Sequence, residues 1–123
     1  METQDQELQE VREALASLGG QIVRTVATGA PNHILEVSEL GGFLVRARHD
    51  RWVPWGEITG VYERLKREGT WTNPRSGPDF AWRGAFVAAV LRELSTVEVL
   101  RKRNPRTLGY VPTGRPVKLR RKV

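Results

Sequence analysis

The chain has 123 residues, 39% of them hydrophobic and 28% charged, which suits one domain with its own core. It has no cysteine, which excludes disulfides and thiolate zinc sites. The net charge of +6 is unevenly placed. Residues 1–100 hold 11 Lys or Arg against all 14 acids, a net of −3, while residues 101–123 hold nine Lys or Arg and no acid, a net of +9.

No apolar run approaches the ~20 residues of a bilayer span. The longest, Ala85 to Leu91, is far shorter, and the acidic start (Glu2, Asp5, Glu7) has the wrong sign for a signal peptide. The expectation is a cytoplasmic protein without membrane contact.

Leu8, Val11, Leu15 and Leu18 recur at helical spacing and predict a helix over residues 3–18, with Thr3 as N-cap and Gly19-Gly20 as stop. Three strands are expected next: Gln21–Thr28, His33–Leu40 and Phe43–Arg48. The turn signals Gly29-Ala-Pro-Asn32 and Gly41-Gly42 separate them into an antiparallel meander. In the second strand, alternation puts Ile34 and Glu36 on one face and Leu35 and Val37 on the other.

After Pro54, the stripe Ile58, Val61, Tyr62 and Leu65 predicts a helix over Trp55–Glu68, closed by Gly69. Thr70–Thr72 reads as a very short strand. Asn73-Pro74 and Ser76-Gly77-Pro78 form a linker. A third helix, apolar over most of its circumference and therefore central, runs from Phe80 to Leu94 with Asp79 as N-cap. Val97–Arg103 and Leu108–Val111 form a hairpin around Asn104-Pro105-Arg106. Residues 112–123, rich in Pro, Gly, Lys and Arg, are expected to be a flexible basic tail or at most a loose edge strand.

The fold class is therefore α+β: an N-terminal acidic helix (1–20), then a body over 21–111, then the basic tail. The body joins the meander to a winged-helix-like unit of helix, helix and β-hairpin. Helix, short strand, linker, helix, strand, basic turn and strand follow in the order of a winged helix-turn-helix. The linker leaves room for one short turn where the middle helix would stand. The 80–94 helix would then enter the major groove, with Arg83 and Arg92 at the ends of a small-residue stripe through Gly84 and Ala88. Gly84 and Ala88 equally have the spacing of tight packing against another element.

Basic terminal runs contact phosphates. The expected contacts are Arg101, Lys102, Arg103 and Arg106 in the wing, then Arg115, Lys118, Arg120, Arg121 and Lys122 in the tail. Phosphate contacts carry little sequence information, so sequence preference should be weak. The implied partner is nucleic acid, duplex DNA ahead of RNA.

The order Gly29-Ala-Pro-Asn-His-Ile34, Glu36-Val37, Phe43-Leu-Val45, Val53-Pro-Trp55, Ile58, Tyr62-Glu63, Leu65, Gly69-Thr70, Arg83 through Leu91 and Val97-Glu98-Val99 resembles a small winged-helix-like accessory domain of bacterial restriction-endonuclease-like and phage-defence proteins. The resemblance covers about residues 22–100. It implies a DNA-binding or docking module beside a separate catalytic part. The Pro- and Gly-rich linker departs from that pattern.

No catalytic residue, metal ligand or cofactor site is expected. Pro78-Asp79 could open a nuclease metal site, but Glu98-Val99-Leu100 lacks the lysine that would complete it, and helix capping explains Asp79 better. His33 and His49 lack the company of a clustered acid. Of four tryptophans, Trp55 and Trp82 start helices and are expected in the core. Trp52 and Trp71 are candidates for base stacking or for an interface. The alternative to nucleic acid is an adaptor or regulatory subunit of a protein or nucleoprotein complex. It would dock through these tryptophans or through the N-terminal helix, whose apolar stripe could also form a homodimer.

Overall fold

A computed structural model describes residues 2–73, 78–100 and 107–123, with side chains beginning at residue 6 and, in the third helix, at residue 83. The order is α1 (Glu2–Ala16), β1 (Ile22–Arg24), β2 (Pro31–Ser38), β3 (Gly42–Arg46), β4 (Asp50–Val53), α2 (Trp55–Glu68), β5 (Thr70–Thr72), α3 (Pro78–Leu91), β6 (Val97–Val99) and β7 (Thr107–Tyr110). This is an α+β fold with two antiparallel sheets, ordered β1-β2-β3-β4 and β5-β7-β6.

The first sheet has four strands where three were expected. β4 escapes pattern reading because only Trp52 and Val53 in it are apolar and its other residues are charged. Pairing supplies what composition lacks, as Phe43 sits opposite Val53 and Leu44 opposite Trp52. The alternation expected in β2 also breaks. A bulge between Ile34 and Glu36 absorbs one residue, so Ile34 and Val37 both turn toward the core while Glu36 faces solvent.

Gly42, opening β3, has φ of +91°, and a Cβ there would collide with the carbonyl oxygen of Val53. Only glycine combines that backbone angle with so close an approach.

One core joins all three helices. Val11, Leu15 and Leu18 of the α1 segment lie in the same buried cluster as Ile34, Phe43 and Val45 of the first sheet, Ile58 and Tyr62 of α2, and Phe86 to Leu91 of α3. Gly19-Gly20 is thus a turn inside the body: Gly20 N–H donates to the Ile34 carbonyl at 2.8 Å. Phe43 stands at the junction, edge-on to Trp55 (4.9 Å between centroids) and to Phe86 (5.8 Å). Trp55 is buried as expected. Its indole N–H donates to the Ser38 carbonyl at 2.8 Å, and the Arg12 guanidinium lies over its ring at 4.8 Å.

α2 occupies the expected Trp55–Glu68 and ends on Gly69 in the left-handed conformation, whose N–H donates to the Leu65 carbonyl at 2.7 Å. α3 is the central buried helix its composition indicated, with Phe86, Val87, Ala88, Ala89, Val90 and Leu91 all buried. It starts two residues earlier and ends three earlier than expected. Residues 74–77, where a short middle turn was expected, lie outside the described residues. The side chains of Asp79 and Trp82 lie outside the described ones.

Candidate nucleic-acid interface

The basic tail is not a free end. Val111 N–H donates to the Thr96 carbonyl at 2.7 Å, and Val117, itself buried, donates its N–H to the Glu10 carboxylate at 3.0 Å. Lys118 N–H donates to Ser95 Oγ at 3.1 Å, and Ser95 N–H donates to the Lys118 carbonyl at 2.8 Å. Leu119 forms a single antiparallel bridge with Leu94. The expected flexible segment is instead a strap lying across α1 and the end of α3. Its Pro, Gly, Lys and Arg content suggests disorder, but Val117 and Leu119, two apart, supply an apolar face, and Arg120 and Arg121 find fixed acceptors.

Arg120 and Arg121 hold this strap. The Arg120 guanidinium donates to the carbonyls of Leu94 (3.1 Å) and Val97 (2.6 Å), just beyond α3. Backbone acceptors are left over where a helix ends, and the negative end of its dipole favours a cation there. Arg121 grips Glu93 with two bonds, 2.7 and 2.9 Å, and donates a third to the Ile22 carbonyl at 3.0 Å. Glu93 is buried, and the bond to it holds the Arg121 guanidinium above its ordinary pKa.

Two of the five expected tail contacts, Arg120 and Arg121, therefore hydrogen-bond to other parts of the chain, although Arg120 is exposed. Arg115, Lys118 and Lys122 are exposed, and none has an ion-pair partner among the described residues.

The stripe on α3 is covered at its middle. Ala88 is 3% exposed, and Gly84 packs on the Asn73 side chain so closely that a Cβ would collide with it. The packing alternative for Gly84 and Ala88 is the one realised, because this helix fills the middle of the molecule. Arg83 is exposed but pairs with Glu57 at 3.1 Å, and Arg92 is half-buried just past the helix end. Arg101, Lys102, Arg103 and Arg106 lie outside the described residues. The residues bounding that segment, Leu100 and Thr107, are joined by a 2.9 Å hydrogen bond at one end of the β6–β7 hairpin. The strap leaves from the other end, beside Thr96.

Trp52 is 44% exposed on β4, whereas Trp71 is half-buried and packs against the core from β5. His33 and His49 are both exposed and lie on or next to strands of the first sheet.

Sequence reading missed a polar node under the strap. Glu7 accepts hydrogen bonds from Tyr62 Oη (2.7 Å), Tyr110 Oη (2.9 Å) and Lys66 Nζ (3.0 Å), and Tyr62 Oη also meets Thr96 Oγ1 at 2.8 Å. Burial works against the Glu7 charge, but the bonds from Tyr62, Lys66 and Tyr110 outweigh it and hold the carboxyl below the usual carboxylate range. Burial and the Glu7 bond push the Tyr110 hydroxyl up to about 12, and burial raises Tyr62 further. Every partner is satisfied within the node, which ties α1 to α2 and β7. Glu7 and Tyr110 are 103 positions apart, so no local motif announces them.

No family model, curated protein or solved structure matches this chain. Among the described residues no helix is long and apolar enough to cross a membrane.

Proposed function

We propose that this chain is a non-enzymatic nucleic-acid-binding protein that contacts phosphates, duplex DNA first among its targets, with weak sequence preference. The observation that carries this reading is the acid-free run 101–123. Its exposed cations Arg115, Lys118 and Lys122 have no ion-pair partner among the described residues, and Arg101, Lys102, Arg103 and Arg106 belong to the same run. Unneutralised cations on a fixed strap release phosphate counterions without the ordering cost of a free tail.

The connectivity supports the same reading. The run α2-β5-α3-β6-β7 with sheet order β5-β7-β6 follows the order expected of a winged-helix-like unit. Because the stripe through Gly84 and Ala88 is covered at its middle, the wing segment and the strap, rather than a recognition helix, carry the contact. The resemblance to accessory domains of phage-defence proteins fits a module of this kind. The adaptor reading loses its simplest surface, since the apolar stripe of α1 is spent on the chain's own core.

The test is a fluorescence anisotropy titration on a duplex at several salt concentrations. It compares the wild type with a variant carrying Arg115→Gln, Lys118→Gln and Lys122→Gln. Arg120 and Arg121 stay, so the strap stays. Loss of three phosphate contacts should lower the log–log salt slope by about 2.7. An unchanged slope, or no binding by the wild type near physiological salt, ends this reading.

A further inference from the structure

The first sheet has an open face. Register places Glu36, Leu44 and Trp52 in one row across β2, β3 and β4, and Ile22, His33, Arg46 and Asp50 in the next row across all four strands. These rows point away from the core, which takes Ile34, Val37, Phe43, Val45 and Val53 from the other side. Ile22, His33, Glu36, Arg46, Asp50 and Trp52 are all exposed.

Trp52 is not a loose side chain. Its ring rests on Gly41, where even a Cβ would come within 3.3 Å of the ring. Glycine lets the indole lie against backbone, which fixes one side of it and leaves 44% of the residue in solvent.

The strap reaches the β1 edge of this sheet. Arg121 donates to the carbonyl of Ile22, the first residue of β1, and Lys122, next in the chain, is exposed. From β1 to β4 is three strand spacings, about 14 Å.

We propose that the open face of the first sheet is a platform for an unpaired nucleic-acid strand, with Trp52 stacking on a base and the strap's Lys122 at the entry edge. The proposal rests on the phosphate reading above and adds the form of nucleic acid preferred: a duplex with a single-stranded extension. A duplex hides the faces of its bases, and only an unpaired base can lie flat on an indole. The charges on and around the face are mixed but lean positive. Arg24 and Arg48 have no ion-pair partner among the described residues, Arg46 pairs with Asp50 at 2.9 Å, and Glu36 opposes them. The Leu44–Trp52 pair is small and flanked by Glu36, Arg46 and Asp50, which suits a single stacked base with phosphates around it better than the continuous apolar centre of a protein interface.

The experiment measures anisotropy with three probes: a blunt duplex, the same duplex with a ten-thymidine extension, and a free thymidine oligomer. The wild type should bind the extended duplex most tightly. Trp52→Ala should lose about fivefold or more on the extended duplex and the oligomer, nothing on the blunt duplex, and Trp52→Phe should retain most of the affinity. Photocrosslinking of an iodouridine oligomer to the wild type, which needs no variant to fold, should mark a peptide containing Trp52.

Equal binding of the single strand by Trp52→Ala and wild type, or crosslinks confined to the strap, would overturn the platform. Blunt-duplex binding would then leave the phosphate reading standing. Failure of the wild type on all three probes removes both.

Discussion

Glu7 illustrates what one residue does here. Its carboxylate takes three hydrogen bonds from α2 and β7, and its pKa sits below the usual carboxylate range in the folded chain. A group depressed in the folded state stabilises the fold above its ordinary pKa, and that stabilisation fades as pH falls through the depressed value. Stability should therefore decline on acidification below about pH 4, the ordinary range for glutamate. Glu7→Gln should lack that component and unfold about 1–3 kcal/mol more easily at neutral pH, as read by urea denaturation. The tyrosines act with the opposite sign. Tyr62 and Tyr110 stay protonated in the fold, so their contribution is complete below about pH 10 and is lost as pH rises beyond it.

At the scale of elements, the strap is the feature whose behaviour differs most from its composition. Arg121 binds a buried Glu93 by two short bonds, and Arg120 takes carbonyls beyond α3. Arg121→Ala would leave Glu93 buried without its partner, which should cost about 2 kcal/mol. Amide exchange at Lys118 and Arg120 should accelerate together, because both amides bond to the segment that Arg121 fastens. Protection unchanged at those two amides would mean that the strap holds without the ion pair. β4 makes the same point in the other direction. Its four residues carry a weak pattern, and it is a strand because β3 offers it a partner edge.

For the molecule as a whole, α1 decides whether this is one body or a helix appended to another. Val11, Leu15 and Leu18 are fully buried, and burial of each such side chain contributes about 1.5–3 kcal/mol. Total stability for a domain is about 5–15 kcal/mol. Removing residues 1–18 should thus abolish the cooperative thermal transition seen by circular dichroism. A shortened chain that melts cooperatively and differs only in oligomeric state by light scattering would return the stripe to the role of a dimer interface.

The sequence by itself determined the elements with strong periodicity. α2 matches its expected bounds because an apolar stripe, a preceding proline and a terminal glycine all mark it. α3 was legible as the central helix because no face of it is polar. The concentration of positive charge after residue 100 was visible by counting alone.

Tertiary structure decided the rest. It added β4, moved Glu36 to solvent through a bulge, bound the tail as a strap, and assembled the Glu7 node from residues at opposite ends of the chain. It also sorted the candidate contacts. Gly84 and Ala88 went to packing, Arg120 and Arg121 hydrogen-bond to the rest of the chain, and Arg115, Lys118, Lys122 and Trp52 are exposed. The physical reason is common to all of these. Local periodicity reports which face of a segment is apolar, whereas a cation's availability depends on which carboxylates and carbonyls the rest of the chain brings within hydrogen-bonding distance.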